Sequence, residues 1–526
     1  MSSIHRVSEI IETLLRIAHH RGHRQLVVLS GEREWCQQQI ASLVDLQARV
    51  FWIGEASVGL KPPMSVKPVS AKQTHQLLGQ ESDSIVFDCW SGFNPNGFGQ
   101  VVGTLVAGGL FVLVTPPLSA WQAFNDPEYA YIAVEPFHTE DVGRRFIRHL
   151  QRIIATDGDL LHFAENQPCP DLSEFAHQFQ DSHDKAELAT LALPFRTADQ
   201  QQVVNHCLDS MQQPRVVRVL TADRGRGKSA ALGILAGQLM KSGLPLQERA
   251  GKPSERYRGK IEIILTAPSR GAVQAVISML ESLLPSDRLL CARDHWLLGH
   301  CRLRFMLPDQ LLQQRPEADL LLVDEAAAIP APVLLSLLDY PRVIFASTLH
   351  GYEGTGQGFA VRFMPYLDRQ VPQRQLLRMQ QPVRWAEGDP LERFSYRALL
   401  LDAEPADLGT ERHESLQVTY QKLDRDQLVA DTGMLKQLFG LLILAHYRTT
   451  PGDLRILLDS PNIEVWAGFI GQEGATQLVA TALLAYEGPI NRDLADAIMD
   501  GTRRPKGQLI PQTLLAHCHI PEAAEC

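Results

Sequence analysis

Residues 223–229 read Asp223-Arg-Gly-Arg-Gly-Lys-Ser229, a glycine-rich loop closed by a lysine and a hydroxyl. Successive backbone N–H groups of such a loop can wrap phosphate oxygens, while the Lys228 ammonium reaches the β and γ oxygens and Ser229 ligates Mg²⁺. Ala222 stands where the usual pattern opens on glycine, and Arg224 and Arg226 alternate with Gly225 and Gly227. Further along, Asp319-Leu-Leu-Leu-Val-Asp324-Glu325 is an apolar run ending in paired carboxylates. After a phosphate loop, Asp324 would hold the Mg²⁺ shell and Glu325 would polarise an attacking water. Taken alone the run also reads as a strand followed by two solvated acids, but beside the loop the phosphate chemistry is the stronger reading.

The elements that must position these groups follow from periodicity. Val216, Val217, Val219 and Leu220 form a buried-strand run before the loop, and Leu232, Leu235 and Leu239 recur at helical spacing after it. Further strands are expected at 261–266, 319–323 and 342–346, separated by helix-length intervals, which predicts a parallel sheet. Thr266, Asp324, Glu325, Ser347 and Thr348 would then gather at its carboxyl edge, where ligands sit in such sheets. Thr197-Ala-Asp-Gln200-Gln201 precedes the block's first helix; a glutamine there could read an adenine edge, or the stretch could be a polar helix start with Asp199 near the N-cap. His350–Gly358 is dense in glycine and could approach a ligand. Arg384, in Gln381-Pro-Val-Arg384-Trp385, could neutralise a γ-phosphate or make an ordinary salt bridge.

At 526 residues the chain has room for about three domains. Residues 1–190 alternate helical and strand-like runs, with strands expected at 25–29, 50–53, 84–88 and 110–114 and a helix over Val7–Ala18, predicting a doubly wound α/β domain. Residues 191–410 carry the phosphate loop. Residues 411–526 open with a helix over Leu435–Tyr447 and two antiparallel strands meeting across Gly471–Gly474, the first half of an α+β domain. Arg16, Arg21 and Arg24 cluster with histidines, and Arg144, Arg145, Arg148 and Arg152 share a helical spacing that fits either phosphate contact or a solvated face.

A net charge of −10 argues against a uniformly basic, nucleic-acid-coating protein but leaves local basic patches open. The eight cysteines form no C-x-x-C pair, so reduced thiols are expected. His517, Cys518, His519 and Cys526 match no zinc spacing. No apolar run approaches the length of about 18 residues that a membrane span needs, and the N-terminus lacks a signal-peptide core, so a cytoplasmic protein with no membrane partner is expected.

Four stretches, Asp223–Ser229, Val323-Asp-Glu-Ala-Ala-Ala-Ile-Pro330, Gly351-Tyr-Glu-Gly-Thr-Gly-Gln-Gly-Phe359 and Gln381-Pro-Val-Arg-Trp-Ala386, resemble in wording and order the bacterial tRNA(Met) cytidine acetyltransferase family. Arg503-Arg-Pro-Lys-Gly-Gln-Leu-Ile-Pro511 is similar as well. The resemblance implies an N-terminal accessory α/β domain (1–190), a P-loop helicase-like parallel-sheet ATPase domain (191–410) and a partial GNAT-like α+β acetyltransferase domain (411–526). It implies acetylation of N4 of the wobble cytidine of elongator tRNA(Met), with ATP or GTP, Mg²⁺ and acetyl-CoA as cofactors, no DNA partner, and a monomer as the expected state. By the motifs, the nucleotide would be held by Gln200 or Gln201, by Asp223, Arg224, Gly225, Arg226, Gly227, Lys228, Ser229, Ala230, Ala231 and Leu232, and by Arg384. Lys228, Asp324 and Glu325 would act in hydrolysis, with Ser229 and Asp324 on the metal.

One departure matters. The Arg/Gln-x-x-Gly-x-Gly/Ala turn with which GNAT domains bind the acetyl-CoA pyrophosphate has no match after residue 412. The family continues past the position of Cys526, so the chain is expected to stop short of the cofactor strand, as a truncated product or a fragment, and acetyl transfer is expected to be impaired. An RNA-stimulated ATPase or remodeller without transferase activity, and an RNA-binding scaffold with a structural nucleotide site, stay open beside it.

Overall fold

The computed structural model describes residues 3–44, 49–55, 59–63, 65–170, 193–243, 261–348, 359, 363–406, 417–445, 449–471 and 477–525. These form two compact units, one made of Met1–Leu172, Gly388–Ile443 and Thr449–Cys526, the other of Ser173–Glu387 and Leu444–Arg448.

The second unit is built on an eight-stranded sheet ordered 375–379, 216–222, 342–348, 320–323, 261–266, 301–305, 295–298, 290–292. The first six strands in that order run parallel and the last two join antiparallel. Both faces of the sheet are covered. Residues of alternate parity point opposite ways along a strand, so Leu220, Ile263, Leu322 and Ile344 pack under helices Ala198–Ser210, Lys228–Ser242 and Gln274–Leu283. Val219, Ile264, Leu321 and Phe345 pack instead on Leu311, Leu334, Phe363 and Leu367. The strand holding the carboxylates is not the neighbour of the strand feeding the loop, because Arg342–Thr348 lies between them.

In the first unit a six-stranded, all-parallel sheet runs 68–69, 50–53, 82–88, 105–115, 25–30, 161–164. Helix Ser3–Arg21 covers the region expected from Val7–Ala18 and packs on strand Leu105–Thr115. The C-terminal portion supplies a three-stranded antiparallel sheet, 419–422, 463–470 and 477–485, with helices Thr432–Ala445 and Pro451–Asp459. Its first strand and the helix at 451–459 were not legible in the periodicity. One continuous apolar cluster joins Leu26, Phe87, Phe98 and Phe111 to Phe394, Leu438, Leu454 and Phe469, so these distant stretches of chain share a core.

Two buried ion pairs bind that core together. Arg24 and Asp389 are fully buried; the guanidinium donates to the carboxylate at 2.8 Å, the Arg24 backbone N–H donates to it at 2.7 Å, and Nη1 donates to the Val102 carbonyl at 2.7 Å. Asp389 also caps helix Pro390–Leu399 by accepting from the Glu392 N–H. Arg455 likewise reaches Asp126 at 2.7 Å with both side chains buried. Arg24 is therefore a core residue and not part of a basic surface. Nor are the arginines of helix Arg145–Thr156 left to face phosphates: Arg145 and Arg148 pair with Asp426 at 2.8 and 2.7 Å, Arg152 donates to the carbonyls of Val429 and Ala430, and Arg144 bonds the Val142 carbonyl over the Tyr129 ring.

Removing one partner of a buried pair strands the other charge. Asp389→Ala is expected to destabilise this unit by about 3–5 kcal/mol, whereas Asp426→Ala, at a half-exposed pair, costs under about 1 kcal/mol; urea unfolding of the two variants checks the contrast. Burial pushes the His149 imidazole down to about 4, and its Nε2 faces the Arg397 carbonyl at 3.1 Å, where only the N–H form can donate. The unfolded chain takes up this proton near pH ~6.5 and the folded one does not, so stability from His149 is complete above that pH and declines as pH falls toward 4. His149→Gln is expected to flatten this part of the stability-versus-pH curve.

Candidate functional site

The phosphate loop leaves strand Val216–Ala222 and enters helix Lys228–Ser242. Ala222 is still a strand residue, paired with Thr348 and Met379 and buried. No glycine is required there. The left-handed conformation is needed three and five positions deeper, at Gly225 (φ 80°) and Gly227 (φ 77°), the latter being the N-cap of the helix. Both places are also crowded: a Cβ on Gly225 would lie 2.7 Å from the Trp385 ring, and one on Gly227 2.8 Å from Val383 and 2.9 Å from the Gln200 amide.

Lys228 points back across the carboxyl edge of the sheet. Its Nζ donates to Asp324 Oδ1 at 3.0 Å and to Glu325 Oε1 at 2.8 Å, with the lysine 6% exposed, Asp324 buried and Glu325 32% exposed. Burial alone would depress the ammonium's pKa, but the two carboxylates outweigh it and hold it above the ordinary lysine value. Glu325 adopts left-handed backbone angles (φ 46°, ψ 46°), a conformation costly for a residue with a Cβ, and its N–H donates to Asp324 Oδ1. Thr348, at the end of the intervening strand, donates to Glu325 Oε2 at 3.3 Å. One lysine, two carboxylates and a hydroxyl from three adjacent strand ends and the loop thus converge.

Two buried oxygens in this corner lack hydrogen-bond partners among the described residues, Asp324 Oδ2 and Thr266 Oγ1. The Asp324 N–H donates to the Thr266 carbonyl, which places the two residues side by side. An unsatisfied buried carboxylate oxygen is costly, and it fits a hydrated divalent cation or its water.

Gln200 is buried, and its amide is spent on the protein. The side chain accepts from the Arg196 N–H at 2.9 Å and donates to the Gly227 carbonyl at 3.2 Å, tying the first helix to the loop. Thr197 is the N-cap of that helix, with Asp199 in its first turn as the polar helix start reads. Asp199 accepts the backbone N–H groups of Gln380 and Gln381 at 2.6 and 2.8 Å, while Gln381 Oε1 accepts those of Ala198 and Asp199 at 3.1 and 3.3 Å. A little further on, the Val383 N–H donates to the Gly225 carbonyl at 2.9 Å. Segment 380–385, which carries Arg384, is thus riveted at one end to the helix start and at the other to the phosphate loop. Thr348 falls at the carboxyl edge where its strand end was expected to place it, whereas the parts played by Asp199, Val383 and Trp385 in this assembly carried no signal in the sequence. The glycine-rich stretch 350–358 lies outside the described residues.

A parallel sheet flanked by helices on both faces, a glycine loop capping a helix, and a carboxylate pair at the next-but-one strand end define a P-loop nucleotide-binding fold, here in one chain with a small antiparallel α+β portion. Comparison with known proteins narrows this. Residues 219–402 match the helicase domain of the RNA cytidine acetyltransferase NAT10/TcmA, residues 1–165 the N-terminal domain of the tRNA(Met) cytidine acetyltransferase TmcA, and residues 437–522 the GNAT acetyltransferase 2 model. The chain is 41% identical over 524 residues to a tRNA(Met) cytidine acetyltransferase TmcA of Nitrosococcus halophilus, covering 98% of this chain and 66% of that one. With the corresponding proteins of Haloarcula marismortui and Vibrio cholerae it shares 33% and 31% identity, over 96% and 94% of this chain and 64% and 62% of theirs. The chain belongs to the tRNA(Met) cytidine acetyltransferase family, and it spans just under two thirds of the length of these relatives. Among the described residues no helix is long and apolar enough to cross a membrane.

If segment 380–385 holds the loop in shape, Asp199→Ala removes two charge-assisted hydrogen bonds from its far end. The KM for nucleotide is then expected to rise about tenfold, equivalent to about 1.4 kcal/mol, with kcat less affected and Asp199→Asn intermediate; steady-state hydrolysis assays check this.

Proposed function

We propose that this chain binds and hydrolyses ATP or GTP at the Lys228–Asp324–Glu325 corner, and that the hydrolysis serves acetylation of N4 of a cytidine in tRNA, at the wobble position of elongator tRNA(Met), in the cytoplasm. The convergence of Lys228, both carboxylates and Thr348 within the stretch that matches the family's helicase domain carries this reading.

In the arrangement described, the ammonium neutralises the carboxylates. On nucleotide binding Lys228 would exchange them for β and γ oxygens, with the loop N–H groups of 225–229 turned to the phosphates. Ser229 and Asp324 would hold Mg²⁺, which when bound neutralises charge developing on the phosphoryl group. Glu325, freed from Lys228 and still touched by Thr348, would orient and deprotonate the attacking water. Arg384, Gln201 and the loop residues Asp223, Arg224, Arg226, Ala230, Ala231 and Leu232 are proposed as further nucleotide contacts, with Gln200 holding the loop from behind. Because the target base must leave its stack before chemistry, the hydrolysis would act by remodelling the anticodon region.

Strand Gln477–Ala485 is followed by helix Arg492–Met499 with no Arg/Gln-x-x-Gly-x-Gly/Ala turn between them. A second reading is an RNA-stimulated nucleotide hydrolase without transferase activity of its own.

Lys228→Ala is expected to lower kcat for hydrolysis by about 10²-fold or more, and Glu325→Gln by about 10²–10⁴-fold with nucleotide binding retained. Turnover that survives Lys228→Ala would sink the hydrolytic role. Acetyl-CoA-dependent N4-acetylcytidine formation on tRNA(Met) by this polypeptide would decide for the transferase, and tRNA-stimulated hydrolysis without it for the second reading.

A further inference from the structure

The stretch Arg503–Pro511 plays no part in the nucleotide site, yet it presents an unusual surface. It forms the turn between helices Arg492–Met499 and Leu509–Cys518. Its backbone is held tightly: the N–H groups of Thr502 and Arg503 donate to the Ala497 carbonyl at 2.9 and 3.1 Å, Gln508 Oε1 accepts from the Gly488 N–H, and the Ile510 N–H donates to Glu487 at 2.7 Å. The turn is also seated on residues 131–135. Lys506 bonds the Tyr131 carbonyl, Gln508 bonds the Glu135 carbonyl, and a Cβ on Gly507 would lie 2.6 Å from Val134.

What this rigid base displays is out of character with the rest of the chain. Arg503 and Arg504 are exposed, and neither guanidinium has an ion-pair or hydrogen-bond partner among the described residues. Beside them Leu509 and Ile510 are 67% and 64% exposed, and Tyr131 is 50% exposed with the Lys72 ammonium 3.1 Å from its ring centroid. Lys72 lies 3.7 Å from Glu128, and Asp500 and Glu135 flank the patch. The chain as a whole carries ten more acidic than basic side chains, and Arg145, Arg148, Arg302 and Arg304 are each paired with a carboxylate. Unpaired arginines on a fixed backbone, next to exposed apolar and aromatic side chains, suit a ligand that offers both phosphates and flat apolar faces. Unstacked RNA offers both: backbone charge for Arg503, Arg504 and Lys506, and base faces for Leu509, Ile510 and Tyr131.

We propose that this patch, Arg503, Arg504, Lys506, Leu509, Ile510 and Tyr131, grips a single-stranded segment of the RNA substrate. The inference rests on the reading of the chain as acting on tRNA. On a net-negative protein such a patch supplies the local attraction that the overall charge opposes. It also assigns the gripping surface to the unit remote in sequence from the phosphate loop.

The test is binding of the full chain to labelled tRNA and to an anticodon stem-loop RNA across a salt series. Arg503→Gln/Arg504→Gln is expected to weaken binding at least tenfold, and to reduce the slope of log K against log[salt] by about 1.4, two contacts at ~0.7 each. Leu509→Ser/Ile510→Ser is expected to weaken binding with the slope unchanged. Basal nucleotide hydrolysis and the thermal melting profile stay as in the wild type in both variants. Wild-type RNA binding with both variants unaffected overturns the patch and leaves the RNA reading standing. No RNA binding by the wild type overturns both. Binding to anionic lipid vesicles, or a dimer that dissociates in the Leu509→Ser/Ile510→Ser variant, in place of an RNA effect, would also overturn the proposal.

Discussion

A single buried ammonium organises the nucleotide corner. Lys228 sits where three strand ends and a glycine loop meet, and its charge allows the buried Asp324 to stand beside the partly exposed Glu325. Without a cation between them, two adjacent carboxylates at a largely buried position repel each other and lose hydration. The position therefore calls for positive charge, and the fold provides it from the protein when no other source is present. Around this constraint the neighbouring features fall into place: the strained backbone of Glu325 turns its carboxylate toward the lysine, and the intervening strand delivers Thr348 to its other oxygen.

The first unit obeys the opposite logic. There two buried cations, Arg24 and Arg455, each meet a buried carboxylate, Asp389 and Asp126, and a backbone carbonyl. Such pairs contribute less to net stability than to the choice of which segments come together, since a mispaired charge in a core is far costlier than a mispacked leucine. They link residues 329 and 365 positions apart in the chain.

Much of the corner around Lys228 was legible in the sequence because its geometry is local. A loop that must turn twice through left-handed angles needs Gly225 and Gly227, and a strand that ends in paired carboxylates reads as four apolar residues and two acids. The parallel strands at 216–222, 261–266, 320–323 and 342–348 were readable for the same reason, as short apolar runs buried on both faces. What escaped was non-local. Nothing about Asp199 indicates that it holds the amides of Gln380 and Gln381, and Arg24 and Arg152 look like surface charges until their partners are in place. Periodicity reports which face of an element is apolar. It does not report which distant carboxylate will meet a given guanidinium.

The first unit begins at the N-terminus, pauses at residue 172 and resumes at 388. Its order of synthesis therefore differs from its order of assembly. When residues 1–170 have emerged, Arg24 has no carboxylate, and the face of the sheet bearing Phe98 and Phe111 has no Phe394, Leu438 or Leu454 to cover it. Asp389 follows Arg24 by 365 residues, an interval of roughly 20–70 s at ~5–20 residues per second. Through that time the N-terminal sheet waits with an apolar face open and a core cation unpaired, while the P-loop unit, whose described strands all lie within the insertion, can close first. The early-made sheet thus completes its core only against segments made late.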